Sequence, residues 1–233
     1  MLKSFVIVVF GLFLGLHIQA HATLVDWTEK GNGGDILVCQ DARQNMMYDA
    51  YETEARHGLK VVLPPVQTAN SVDPGNYTGF EDLDEALRIA ALILSRVESR
   101  DPELSQALLE ENANFKSQVY FIPNTKLMPI DDGGIIFLPE GCEVQQLVVQ
   151  RTPKFATDKL YTVALNYWKT LNIQQKAVAI VHEVIYRKAL RDRYMESSEL
   201  VRYFNALLLS DTVKDWGYAE YRDLYYRVFL FGN

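Results

Sequence analysis

A histidine and a glutamate stand side by side in the middle of residues 172–191, the most apolar helix-patterned segment after the N-terminal leader. In zinc peptidases a helical histidine binds the metal, the next residue is a glutamate that acts as general base, and a second histidine follows one turn later. Here that last place is taken by Tyr186. The residue types therefore indicate metal-assisted hydrolysis, with His182, Glu183 and Tyr186 as candidate catalytic residues and His182 as candidate zinc ligand.

The zinc motif is incomplete in this sequence. A catalytic zinc ion usually takes three protein ligands, two or more of which are commonly histidines. After the leader, His57 is the one other histidine in the chain. We therefore predict no cofactor, and we keep zinc at His182 as the alternative.

The same helix also has a structural interpretation. A rotation of 100° per residue places His182 and Tyr186 on one face and Glu183 beside Arg187, with which it would form an ordinary ion pair. A buried glutamate needs a cation, because an unpaired buried carboxylate costs several kcal/mol. Arg202, on the next predicted helix, is the candidate cation. This interpretation predicts a structural network of Glu183, Arg187 and Arg202 that includes His182.

The first 22 residues have the pattern of a secretory signal peptide. Lys3 gives a positive start, Phe5 to Leu16 form an apolar run, and Ala20 and Ala22 stand at the −3 and −1 positions of a cleavage site after Ala22. The apolar run is shorter than the ~20 residues that span a bilayer. We expect an exported protein, periplasmic or extracellular, whose mature chain is a single domain over residues 23–233.

Charge and cysteine content narrow the functional classes. The formal net charge is −7 and there is no basic run, which argues against a nucleic-acid partner. No segment after the leader is long and apolar enough to be a transmembrane helix. Cys39 and Cys142 are the only cysteines, and in an oxidising compartment two cysteines predict one disulfide. A pair of buried free thiols is the alternative.

Apolar periodicity predicts an α+β fold, with a small, mostly antiparallel sheet and helices packed around it. The helix at 172–191 is expected to be central and buried. Helices are predicted at 46–57, 81–97, 101–114, 160–171, 172–191, 198–209 and 211–226. Strands are predicted at 36–39, 119–122, 127–130, 135–138 and 144–150, with a hairpin turn at 131–134.

Local signals refine these elements. Asn45 and Asp101 are predicted N-caps, and Glu52 is assigned to the polar face of the 46–57 helix. The glycine-rich segment 31–35 could cradle a phosphate, but a strand rather than a helix follows it, which favours a tight turn. The aromatic residues of 211–226 have two interpretations, core packing or a surface that binds sugars or a partner.

Four segments together carry a family resemblance, namely residues 31–39 (GNGGDILVC), 138–150 (LPEGCEVQQLVVQ), 174–187 (QQKAVAIVHEVIYR) and 197–202 (SSELVR). In them the chain resembles a family of uncharacterised exported proteins of Gram-negative bacteria, with an N-terminal GNGGD segment, paired cysteines and a His-Glu-x-x-Tyr helix. The resemblance implies export and a disulfide, and it implies no particular activity.

Two functions remain open at the level of the sequence. The first is a non-enzymatic binding or interaction protein whose partner is a protein or a small molecule and whose His182–Glu183 pair is structural. The alternative is an atypical metal-dependent hydrolase built on the same two residues.

Overall fold

The fold was analysed in a computed structural model, which describes residues 34–40, 45–67, 75–130, 138–155, 157–192 and 198–230. The predicted leader, the turn at 131–134 and most of the strand at 135–138 lie outside these residues, as does Ser197.

Helices and short strands alternate irregularly along the chain. The strands are β1 (Asp35–Cys39), β2 (Met46–Met47), β3 (Val119–Ile122), β4 (Cys142–Gln146), β5 (Val148–Gln150) and β6 (Tyr161–Ala164). The helices are α1 (Tyr48–Ala55), α2 (Leu83–Leu94), α3 (Pro102–Gln118), α4 (Leu165–Trp168), α5 (Ile173–Asp192), α6 (Glu199–Leu209) and α7 (Tyr218–Tyr225). A 3₁₀ turn, Ser95–Val97, extends α2, and another, Val213–Asp215, precedes α7.

The strands form two small sheets of three strands each, in the orders β2-β1-β4 and β3-β6-β5. All pairs are antiparallel except β3 and β6, which are parallel. The two sheets are joined through Leu147, which separates β4 from β5 and whose N–H donates to the carbonyl of Gly34 at 3.1 Å. The predicted α+β class with a small, mostly antiparallel sheet is confirmed.

Helix α5 lies at the centre of the fold, as its apolar pattern predicted. Every residue from 177 to 186 is at most 1 % exposed, so nearly three turns of the helix are enclosed on all sides. Helices α2, α3 and α6 pack against it, and β2 and β5 also contact it. A helix enclosed in this way must satisfy any polar side chain it carries from neighbouring elements.

The segments predicted at 160–171 and at 127–130 differ from the structure. The segment predicted as a helix at 160–171 begins with β6, because Tyr161 to Ala164 pair with β3 on one side and β5 on the other; only the short α4 follows. Residues 127–130 are not a strand, although Leu127 is buried against the second sheet. The first error arises because β3, one of the strands that pair with β6, is distant in sequence.

Of the two predicted N-caps, the structure shows one and not the other. The side chain of Asp101 accepts a hydrogen bond of 2.9 Å from the N–H of Leu104, which confirms the predicted start of α3 with Pro102 in its first turn. Asn45 is not the cap of α1; its amide donates to the hydroxyl of Thr170, and β2 intervenes before α1 begins.

None of the helices in the described ranges has an apolar stretch of the length that a bilayer requires.

The predicted disulfide between Cys39 and Cys142 is confirmed, and it joins residues that are direct neighbours across β1 and β4. Reduction is expected to lower the free energy of unfolding by about 4–5 kcal/mol, because the bond closes a loop between residues 103 positions apart. Urea unfolding of the oxidised and reduced protein measures this difference. The Cys39→Ser/Cys142→Ser double variant is the control and should unfold identically with and without reductant; equal stability of the oxidised and reduced wild type would contradict the prediction.

Candidate functional site

A buried cluster of polar side chains lies where α1 and α6 pack against the middle of α5. We call it the three-helix cluster. Each helix contributes two residues, and every member is at most 5 % exposed. The members are Asp49 and Glu52 from α1, His182 and Glu183 from α5, and Arg202 and Asn205 from α6.

His182 forms an ion pair with Asp49 inside the cluster. The Nδ1 atom of His182 lies 2.9 Å from Oδ2 of Asp49, and the amide of Asn205 donates to the same oxygen at 2.6 Å. Burial disfavours the imidazolium, but the Asp49 carboxylate outweighs burial and raises the pKa of His182 to about 9. Burial also disfavours the charged form of Asp49 and would by itself raise the pKa of that carboxyl. The charge and hydrogen bond of His182 outweigh burial, and the pKa of Asp49 lies below its ordinary value. The imidazole is therefore protonated at neutral pH.

Glu183 points in a different direction, toward the sheets. One of its carboxylate oxygens, Oε1, accepts a hydrogen bond from the N–H of Gly34, and the other, Oε2, accepts from the amide of Gln150 at 2.8 Å. The same amide donates to the backbone carbonyl of Glu183, also at 2.8 Å. Burial raises the pKa of Glu183 above its ordinary value, against the opposing effects of the His182 charge and these hydrogen bonds.

The position before β1 is occupied by Gly34 and leaves little room for a side chain. A Cβ atom at this position would lie 2.9 Å from Cε of Met47 and 3.4 Å from Oε1 of Glu183. The backbone therefore approaches the glutamate closely enough to donate to it, while the Gly34 carbonyl accepts from Leu147 and Val148. The described end of the glycine-rich segment thus holds a side-chain carboxylate of the central helix.

Arg202 is bound by α1 and by the start of its own helix. Its Nε donates to Oε2 of Glu52 at 2.8 Å, and its guanidinium donates to the Ser198 hydroxyl at 2.7 Å. The other oxygen of Glu52 accepts from Arg56 at 2.8 Å. The guanidinium also lies 5.7 Å from the centre of the Tyr48 ring. Glu52, which the sequence places on the polar face of the helix, is therefore buried between two cations.

The predicted direct pairing of Glu183 with Arg202 is not formed, nor is a pair between Glu183 and Arg187. The reason is the geometry of α5: consecutive residues differ by 100°, so His182 faces α1 and α6 while Glu183 faces Gly34 and β5. Arg202 reaches Glu52 instead, because α1 packs on α6. The sequence predicted a network between two helices, α5 and α6; in the structure the ion pairs instead connect α1 to α5 and α1 to α6.

Tyr186 is fully buried one turn after His182, as the helical spacing predicted. Its ring lies 6.1 Å from the imidazole, centre to centre, with 26° between the planes. Tyr186 thus contacts the imidazole by its ring, and its phenol occupies the place that a second zinc-binding histidine takes in a peptidase helix.

Asp49, Asn205 and Gln150 were not found by sequence reasoning. Asp49 and Glu52 are three residues apart on a short helix, a spacing that places them on one face. No sequence pattern distinguished Asn205 or Gln150, because the role of a single amide side chain depends on the group to which it is hydrogen-bonded in the fold.

The chemistry available to the cluster is limited by burial and by charge. A histidine must be neutral to bind a metal ion, whereas His182 is protonated by its pairing with Asp49. Within the described ranges, no group of three or more His, Cys, Asp and Glu side chains is arranged to hold a metal ion. The arrangement is suited to joining three helices and β5 through charge-assisted hydrogen bonds.

Comparison with known proteins adds no family to these observations. No protein-family model matches the chain, and searches of curated proteins and of solved structures found no match.

The charged state of His182 predicts a pH dependence of stability. In the folded chain the imidazole holds its proton up to a pKa of about 9, against about 6.5 for an unfolded histidine. The resulting stabilisation is complete below about pH 6.5 and is lost as the pH rises toward 9, with a slope of at most about 1.4 kcal/mol per pH unit. Because the pKa of Glu183 is also raised in the folded chain, its titration likewise lowers the stability as the pH rises. That loss begins at the ordinary pKa of a glutamate, which is lower than that of a histidine. Urea unfolding across this pH range measures the slope.

Two histidine variants separate this effect from others. His182→Gln should flatten the fall in stability above about pH 6.5. His57→Gln is the matched control: burial lowers the pKa of His57, so its contribution has the opposite sign and lies below that pH. An unchanged slope in a folded His182→Gln protein would show that another group titrates.

The two arginines predicted for the network should differ sharply in their importance. Arg202→Gln is expected to lower the free energy of unfolding by about 3 kcal/mol, because it breaks a buried ion pair while Arg56 retains the other oxygen of Glu52. Arg187→Gln, on α5, should change it by less than about 0.5 kcal/mol. Urea unfolding of both variants provides the comparison, and equal losses would contradict the pairing described here.

Proposed function

We propose that this chain is an exported binding protein without catalytic activity of its own, in which His182 and Glu183 have a structural role. The observation that carries the proposal is the burial of the pair: His182 is 1 % exposed and Glu183 is fully buried. Both carboxylate oxygens of Glu183 and the Nδ1 atom of His182 are bound by other parts of the chain. A substrate carbonyl would have no open position from which to approach them.

The electrostatic state of the pair also favours a structural role. A general base that activates water needs a lone pair directed at that water, and a zinc-binding imidazole needs a lone pair directed at the metal. Here Asp49 holds the imidazole in its protonated form, and Glu183 accepts from Gly34 and Gln150. These contacts resemble the way buried charges are satisfied in cores, where each charge has a partner of opposite sign or several donors.

Export is supported by the disulfide and by the leader pattern. Disulfides persist mainly in oxidising compartments, and this one joins β1 to β4 within one sheet. A partner in the same compartment, protein or small molecule, is part of the proposal. Nucleic acid is not, since the chain carries a net charge of −7.

Metal analysis of the purified, processed protein tests the proposal against the hydrolase alternative. We expect far less than one zinc ion per chain by mass spectrometry, and a melting temperature that a chelator does not change. Zinc at a structural or catalytic site would stabilise the folded chain, so its removal would lower the melting temperature.

Two variants define the zinc content that would contradict the proposal. One zinc per chain, lost in His182→Gln and retained in Tyr186→Phe, would overturn the binding-protein proposal and favour the metal-dependent hydrolase. The chelator measurement uses the wild-type chain, so the conclusion does not depend on the folding of His182→Gln.

A further inference from the structure

The second sheet has two faces of different character. Its inner face belongs to the main core, where Phe121 and Val163 pack with the helices. Its outer face is covered at one end by Leu127, which packs against Val149 and Ala164. The outer face is therefore partly closed by the segment that follows β3.

At the other end, the outer face opens into a cleft of about 420 Å³. Its floor is formed by Tyr120 and Thr162, neighbours in the parallel pair of β3 and β6. Its wall is formed by residues 151–155 and 158–159, from the turn that connects β5 to β6. We call this the sheet cleft. Its volume lies in the range of pockets that hold small ligands.

The wall of the sheet cleft is held by its own hydrogen bonds. The Asp158 carboxylate accepts from the N–H groups of Lys154 and Phe155 at 2.8 and 3.0 Å, and the N–H of Asp158 donates to the carbonyl of Phe155 at 3.0 Å. The N–H of Arg151 donates to the carbonyl of Leu160 at 2.8 Å, which closes the base of the turn. This closed turn displays the Phe155 ring, which is 71 % exposed.

The charge of the sheet cleft is opposite to that of the chain. Among the described residues that line it, three are cationic, Arg151, Lys154 and Lys159, and one is acidic, Asp158. That acid is bound by two backbone N–H groups, and Lys159 donates to the carbonyl of Ser117 rather than to a carboxylate. On a chain of net charge −7, this concentration of positive charge favours an anionic ligand.

The remaining lining groups narrow the class of anion. A compact phosphate is usually held by a nest of backbone N–H groups, but the two N–H groups at this turn already donate to Asp158. A neutral sugar needs several planar amides or carboxylates beside an aromatic ring, and the sheet cleft offers mainly cations. The exposed rings of Tyr120 and Phe155, 52 % and 71 % exposed, provide apolar surface that a ligand side chain would bury.

We infer that the sheet cleft binds a short acidic peptide segment in which carboxylates alternate with apolar or aromatic side chains. This assignment rests on the proposed binding function and specifies its ligand. The carboxylates are paired with Lys154, Lys159 and Arg151, and the apolar side chains lie against Tyr120 and Phe155. Long lysine and arginine side chains suit carboxylates that are spaced along a peptide.

Fluorescence anisotropy tests the inference with the processed protein. The probe is a short fluorescein-labelled peptide of alternating glutamate and phenylalanine, and the comparison peptide replaces each glutamate by lysine. The acidic peptide is expected to bind, with an affinity that falls as salt is added, and the lysine peptide is expected not to bind. Lys159→Glu should weaken binding about tenfold or more, because a like charge then faces the ligand.

A matched charge reversal outside the sheet cleft controls for the change in net charge. Lys60→Glu alters the chain by the same amount at an exposed position and should leave the affinity unchanged. Phe155→Ser should weaken binding and leave the salt dependence intact, because it removes only apolar contact.

The inference would be overturned by an absence of acidic-peptide binding, or by equal effects of Lys159→Glu and Lys60→Glu. Inorganic phosphate or a sulfated polysaccharide that displaces the peptide completely at equal charge concentration would also overturn it, in favour of a general anion site. Failure of peptide binding leaves the metal result untouched, whereas stoichiometric zinc would overturn the proposed function without affecting the peptide measurement.

Discussion

The complete enclosure of α5 is the constraint on which the rest of the structure depends. A helix that is buried on every face cannot turn a charged side chain toward water, so each charge in its middle must be matched by a neighbouring element. His182 and Glu183 are adjacent, and the helical rotation sends them in different directions. His182 therefore needs partners from the helices that pack on α5, and Glu183 needs partners from the sheets. This requirement connects α1, α6, β5 and the segment before β1 to a single turn of α5.

A second buried cation on the same helix follows the same rule. Lys176, less than two turns before His182, forms an ion pair with Asp82 and donates to the Tyr77 hydroxyl at 2.8 Å. Its ammonium group also lies 5.8 Å from the centre of the Trp168 ring. Burial lowers the pKa of Lys176 against the opposing effect of Asp82. Helix α5 is thus tied by charge to the region before α2 at one end and to α1 and β5 near its middle, so its rotation and register are fixed by polar contacts as well as by apolar packing.

The sequence predicted those features that depend on near neighbours and failed where distant segments decide. The apolar run of 172–191 was sufficient to predict a central helix, and Asp101 with Pro102 was sufficient to predict the start of α3. Tyr161 to Ala164, by contrast, form a strand because β3 and β5 lie on either side of them, and no local pattern contains that information. The need of buried Glu183 for partners was foreseen, but their identity was not: Gly34 is 149 positions away, and an N–H group carries no signal in a side-chain pattern. Arg202 was correctly placed in a polar network and assigned to the wrong acid for the same reason.

The partners of Glu183 also relate the buried cluster to the surface. Gln150, the last residue of β5, directs its amide inward to the carboxylate and the backbone carbonyl of Glu183. The next residue, Arg151, begins the wall of the sheet cleft, and its N–H closes the base of that wall through Leu160. Successive residues of an extended chain point to opposite sides, so the contact that holds Gln150 inside also turns Arg151 outward. A glutamate that has the sequence neighbours of a catalytic base is therefore connected, through Gln150 and β5, to the start of the wall of the sheet cleft.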